Sequence, residues 1–249
     1  MFPELNNIVG TETGELSGKL ALVTERGSDS SFILHHFLSA YIKQGLNVCL
    51  VLFNQSFSHY NIIGNKLSVS LNKAKEQGQL VVIEGLKDVG SGLMGNAMDS
   101  IDFSGDKNSC LKALFSKIKT AYDGLSSSKP TLIIVDELSV LLSIGIATSD
   151  VYFLTKYLKS LTGDEGSVLM TLHCANDDDA DTLSKQIQHL SDLCVEVKGL
   201  QSGYCKDVHG EMAVITADNM GRRLCRRMQY RVLDKTVSFF AVGTSGAVL

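Results

Sequence analysis

Two stretches of the sequence carry the residue types that nucleotide-hydrolysing folds use. Thr24-Glu25-Arg26-Gly27-Ser28-Asp29-Ser30-Ser31 joins an apolar run to an amphipathic one, the place a phosphate loop takes in an α/β fold. A working loop reads GxxxxGK[ST]: glycines let backbone N–H groups wrap the phosphates, the Lys neutralises them and the hydroxyl holds Mg²⁺. Here one glycine and a pair of serines stand without the Lys, and Asp29 adds charge of the wrong sign, so the loop is expected not to bind phosphate. Thr131-Leu132-Ile133-Ile134-Val135-Asp136-Glu137 is an apolar run ending in carboxylates, the form of the strand whose Asp positions Mg²⁺ in ATPases. Any buried strand with an acidic end looks the same. Its pairing with the loop suggests P-loop ancestry without P-loop chemistry.

Other constellations carry less. Gly90-Ser91-Gly92-Leu93-Met94-Gly95 spells GxGxxG, but that fingerprint must follow a strand directly and open a helix, and here a polar, Gly-rich stretch surrounds it. His173 and Cys174 precede Asp177, Asp178, Asp179 and Asp181, yet one His and one Cys do not make the two short-spaced pairs of a zinc site. Those carboxylates read as a solvated loop, with Asp181 favouring the start of the following helix. Neither GxSxG nor HExxH occurs, so no nucleophilic or zinc hydrolase is indicated. No catalytic residue, cofactor or metal site is assigned. Arg222, Arg223, Arg226 and Arg227 form the densest basic cluster, read either as a solvated turn or as a phosphate-contacting loop between strands, and they are the candidate nucleic-acid-binding residues.

Alternating strands and helices must position these residues. Strands are expected at Leu20 to Thr24, Val48 to Phe53, Leu80 to Glu84, Thr131 to Val135 and Val168 to Leu172. Between them fall helices: one capped by Ser30 and ended by Gly45, one over His59 to Gln77 broken near Gly64, and one over Ser109 to Tyr122. Two more are expected at Thr148 to Thr162, with Leu154, Tyr157, Leu158 and Leu161 inward, and around Leu183, Ile187 and Leu190. His35 and His36 fall off the apolar stripe and are expected in solvent. The strand–helix rhythm predicts a mainly parallel sheet flanked by helices. Met228 to Val232 and Val237 to Phe239, around Asp234-Lys235, predict a C-terminal antiparallel hairpin at the sheet edge. A second hairpin is expected from Tyr204 to Asp207 and Met212 to Thr216, and the polar stretch Lys87 to Lys107 reads as a long loop.

Composition sets the frame. The 249 residues, 44% apolar and 20% charged, are globular in balance and fit one α/β domain over 1–249. With 23 Lys plus Arg against 27 Asp plus Glu the net charge is −4, which argues against a generally cationic coat and leaves room for a local basic patch. No apolar run reaches membrane-span length, and Met1-Phe2-Pro3-Glu4 opens no secretory signal. Six scattered cysteines read as reduced thiols of a cytosolic or nuclear protein.

Several longer strings, in order, are more specific than any of these motifs: Gln55-Ser56-Phe57-Ser58-His59-Tyr60, Gly78-Gln79-Leu80 with Glu84-Gly85-Leu86-Lys87, Asp136-Glu137-Leu138-Ser139-Val140-Leu141-Leu142-Ser143, Gly203-Tyr204-Cys205-Lys206-Asp207-Val208-His209-Gly210 and Asp234-Lys235-Thr236-Val237-Ser238-Phe239-Phe240. Together they resemble the Elongator complex protein 6 family over nearly the whole chain, most loosely across Lys87 to Lys107, Asp123 to Lys129 and Asp218 to Arg227. The resemblance implies a RecA-like fold without ATPase motifs. It also implies a non-catalytic subunit that joins two similar RecA-like Elongator subunits in a heterohexameric ring, works with the catalytic Elongator subcomplex, binds tRNA and supports wobble-uridine modification. RecA-like ATPases usually place a catalytic Glu after the second core strand; here Asn54 and Gln55 follow Phe53, and neither amide can serve as a general base. The alternative is a RecA-like ATPase with an atypical P-loop and Asp136 on Mg²⁺.

Overall fold

The computed structural model describes residues 2–9, 16–85, 87, 106–174, 177–201, 203, 205–217 and 222–242. Nine strands form one sheet. In chain order they are β1 (Leu20–Arg26), β2 (Asn47–Leu52), β3 (Leu80–Ile83), β4 (Thr131–Asp136), β5 (Ser167–His173), β6 (Leu193–Lys198), β7 (Gly210–Ala217), β8 (Arg223–Val232) and β9 (Val237–Phe240). The spatial order is β3-β2-β4-β5-β1-β6-β7-β8-β9; the first six are mutually parallel and the last three join antiparallel. This is the expected mainly parallel α/β sheet flanked by helices, with the antiparallel extension at its C-terminal edge.

Side-chain alternation sorts the core into two layers. From β2, Val48, Leu50 and Leu52 enter one layer while Cys49 and Val51 enter the other, and Leu132 and Ile134 of β4 oppose Ile133 and Val135 in the same way. Burial on both faces is why these strands read as unbroken apolar runs. Helices α1 (Pro3–Val9), α2 (Ser31–Lys43), α3 (Phe57–Lys66) and α4 (Leu71–Glu76) cover the first layer. Helices α5 (Lys107–Asp123), α6 (Ser139–Ser143), α7 (Thr148–Thr162) and α8 (Asp178–Leu190) cover the second. Chain leaving β1 therefore turns to one face and chain leaving its neighbour β5 to the other. That divergence opens a crevice at the strands' carboxyl ends, where open α/β sheets bind ligands.

Several expectations change. Met212 to Thr216 does lie in a hairpin strand, but its partners are β6 and β8, paired Val195↔Val214 and Val214↔Arg226. The helix expected to break near Gly64 stays helical there and breaks after Lys66, at Ser68 with φ 61°. Tyr157 points out of α7 and is 59% exposed, because Val151, Leu154 and Leu158 already fill the inward stripe. His35 and His36 are 4% and 0% exposed: α2 packs on the sheet and is covered by α1 and α3, so it has no solvent face. Asp181 does lie in the first turn of α8, as expected, where it also meets Arg26 at 2.5 Å, while Asp177 caps the helix. All six cysteines are free thiols. The GxGxxG stretch and most of the expected long loop lie outside the described residues.

Candidate functional site

A cleft of about 170 Å³ lies at the carboxyl ends of β1 and β4, between the start of α2 and α3. The structure brings together there the loop residues Asp29, Ser30 and Ser31, the amides Asn54 and Gln55, and Asp136. It adds residues for which sequence reasoning found no role, Glu25, His35, His59, Tyr60, Glu137 and Thr171. Their types give little signal; only the fold puts the end of β1 against the first turn of α2.

The loop's own carboxylates occupy its amide donors. Glu25 Oε2 accepts from the Ser30 backbone N–H at 2.9 Å and from Ser30 Oγ at 2.8 Å. Asp29 Oδ1 accepts from the Ser31 N–H at 2.8 Å, and Ser31 Oγ donates to Asp29 Oδ2 at 3.0 Å. Ser30 thus stands at the N-cap position, but its hydroxyl serves Glu25 and makes no capping bond. The other oxygen of Glu25 lies 3.0 Å from His173 Nδ1. His173 is therefore a partner of the loop, and among the described residues no group of three or more His, Cys, Asp or Glu is placed to hold a metal ion. Close packing fixes the loop: Gly199 N–H donates to Arg26 O at 2.9 Å, and a Cβ on Gly199 would strike the Gly27 carbonyl.

The carboxylates ending β4 are tied as firmly. Asp136 accepts from the Gln55 N–H at 3.3 Å and bonds the Tyr60 hydroxyl. Burial pushes its carboxyl up to about 6, and these donors only partly offset the desolvation. Glu137 sits at φ 74°, a left-handed conformation that costs a non-glycine residue of order 1–3 kcal/mol. Four bonds hold it: its N–H donates to Thr171 Oγ1 at 2.8 Å, and its Oε1 accepts from the His173 N–H at 2.8 Å, from Ser139 Oγ at 2.6 Å and from the Ser139 N–H at 3.2 Å.

The candidate arginines lie elsewhere. They do not form a loop, because the β7–β8 ladder runs out to Ala217↔Arg223 and draws Arg223, Arg226 and Arg227 into β8. All four are exposed. Alternation along the strand sends Arg223 and Arg227 to one face and Arg226 to the other, and Arg223 Nη2 donates to the Gln188 carbonyl of α8 at 2.5 Å. The cluster is a two-faced basic edge segment.

Residues 2–234 fit the family described as Elongation complex protein 6. Over the full length of both chains the sequence is 39% identical to Elongator complex protein 6 of Rattus norvegicus, 38% to that of Xenopus laevis and 37% to that of Homo sapiens. Among solved structures, the flagellar accessory protein FlaH of Methanocaldococcus jannaschii superposes with a TM-score of 0.63 at 16% identity, covering 95% of this chain and 94% of that one. That similarity carries the fold alone.

Proposed function

Because the chain belongs to the Elongator complex protein 6 family, we propose that it is a non-catalytic Elongator subunit that assembles with two other RecA-like subunits into a heterohexameric ring. In this reading the ring binds tRNA and supports wobble-uridine modification by the catalytic subcomplex, in the cytoplasm or nucleus. One observation supports the non-catalytic role above the others: the amide donors at the start of α2 already bond Glu25 and Asp29, where a nucleotide's phosphates would have to sit. A triphosphate would meet four carboxylates and, among the described residues, no Lys or Arg in the lining of the cleft. The loss of the loop Lys, and the amides of Asn54 and Gln55 in the place of a general base, point the same way.

The exposed arginines of β8 supply phosphate contacts in this reading, with Arg226 and Arg227 contributing most because Arg223 is already bonded to α8. A ring presents each copy more than once to a long polyanion, which multiplies weak contacts. The test is tRNA affinity of the reconstituted ring as a function of salt. Replacing Arg222, Arg223, Arg226 and Arg227 by Ala should weaken binding and flatten the salt dependence, since each lost phosphate contact releases fewer counterions and lowers the slope by somewhat less than about 1. Unchanged slopes would remove the arginines from the interface. Magnesium-dependent ATP hydrolysis by the purified chain, abolished in Asp136→Ala, would establish the alternative enzyme.

A further inference from the structure

The cleft at the ends of β1 and β4 has the polarity opposite to a phosphate site. Glu25, Asp29, Asp136 and Glu137 all line it, and among the described residues no Lys or Arg does. A group of acidic residues alone says little, since loops at strand ends often carry them. His35 adds an independent observation. It lines the same cleft, is 4% exposed, and its Nε2 is buried without a hydrogen-bond partner. Leaving such an atom unpaired is costly, and native structures rarely do so without a role for it. Burial holds this imidazole down to about 4, so at neutral pH it is uncharged and one ring nitrogen offers a lone pair. The cleft therefore presents carboxylate oxygens and an uncharged, unpaired imidazole, beside the amides of Asn54 and Gln55, which can accept as well as donate.

We propose that this cleft binds a guanidinium group. A guanidinium has five N–H donors, no acceptor and a delocalised charge, which is the complement of that lining. A carboxylate offers about four lone-pair sites, so the bonds Glu25 and Asp29 already make to Ser30, Ser31 and His173 leave capacity for a ligand. Size agrees: about 170 Å³ corresponds to roughly five or six waters at about 30 Å³ each, room for a side-chain head and short of the ~300 Å³ where small-molecule pockets begin. A metal ion fits less well, because no three ligating side chains among the described residues converge within reach of one point. The guanidinium has two possible sources, an arginine of the adjacent ring subunit or a free arginine-like metabolite. The first rests on the ring reading; the binding chemistry does not.

The test begins with the full chain alone, titrated with N-acetyl-arginine amide and in parallel with inorganic phosphate. The readouts are thermal stabilisation and the NMR signals of the His35 and Tyr60 rings. The arginine derivative should shift both rings saturably and raise the melting temperature, phosphate should do neither, and Glu25→Gln with Asp29→Asn should weaken the effect at least tenfold. Those amides keep an acceptor for Ser30 and Ser31, so the fold should survive, and unaltered far-ultraviolet dichroism would verify it. Shifts produced by phosphate instead, or an arginine effect of equal strength in the folded double variant, would overturn the proposal. Repeating the titration on the assembled ring assigns the source: a cleft closed to the probe means a neighbour's arginine fills it, and a cleft still open means a free ligand. If the chain binds the probe but never enters a ring, the ring reading alone fails.

Discussion

Replacing Asp136 by Asn should make this protein more stable at neutral pH. Asp136 is 4% exposed, and burial in the first place, with the charge of Glu137 as a smaller contribution, pushes its carboxyl from 3.8 up to about 6. The folded state holds that proton more tightly than the unfolded chain does. The group's contribution to stability is therefore complete below about pH 4, declines as pH rises through the interval up to about 6, and stays lost above it. A displacement of about two units at about 1.36 kcal/mol each makes the cost of the ionised form near 3 kcal/mol at pH 7. The carboxylate accepts from the Tyr60 hydroxyl and the Gln55 and Asn54 N–H groups, and the single oxygen of Asn can keep only some of these bonds. Some of the gain returns as imperfect hydrogen bonding, which leaves about 1–3 kcal/mol. At about 2–4 °C per kcal/mol for a chain of this size, the melting temperature should rise by several degrees at pH 8. Urea unfolding of both proteins at pH 8 and pH 4.5 measures it: the advantage should be full at pH 8 and nearly gone at pH 4.5. A variant less stable than wild type at pH 8, or an advantage independent of pH, would refute the argument.

The buried imidazoles act with the opposite sign. Burial holds His36 down to about 3 while the Phe2 N–H donates to its Nδ1 at 2.9 Å, so stability should fall as pH drops from about 6.5, and His36→Leu should show a shallower loss in urea midpoints between pH 7 and 4. Gly199→Ala should cost roughly 1–3 kcal/mol by driving its Cβ into the Gly27 carbonyl, read as a lowered unfolding midpoint. Phe153 and Tyr157 stand 50% and 59% exposed beside a groove lined by Leu111, Phe115 and Leu154, so Phe153→Ser with Tyr157→Ser should reduce self-association of the free chain in sedimentation velocity and leave its dichroism unchanged.

Much of this fold is legible in the sequence because its central strands are buried on both faces, and an unbroken apolar run as short as Val48 to Leu52 is the mark of such a strand. β6 escapes because Glu196 and Lys198 interrupt its apolar pattern, and its place between parallel β1 and antiparallel β7 is a tertiary fact. Helix α1 has seven residues, too few for intrinsic propensity to reveal, and is held by packing into the first core layer. His35 and His36 are misplaced by any reading that gives every helix a wet side. At the site, the missing Lys, the amides Asn54 and Gln55 and the carboxylate Asp136 are all visible in the sequence. The role of Glu25 is not, since nothing in the string Thr24-Glu25-Arg26 states that its carboxylate folds back onto Ser30 five residues later.

That fold-back has a consequence for how such a subunit can behave over time. In a motor, the phosphate loop alternates between empty and filled, and the difference in contacts between those two conditions is what moves neighbouring parts. Here the anions that satisfy the loop are joined to it through the chain itself, which makes their binding intramolecular. They stay attached to the loop when its bonds open, so in the proposed non-catalytic role the loop would keep one condition and pass on no signal. In the ring proposed above, such a subunit would serve as a bearing, holding its neighbours at a fixed spacing whatever the nucleotide supply.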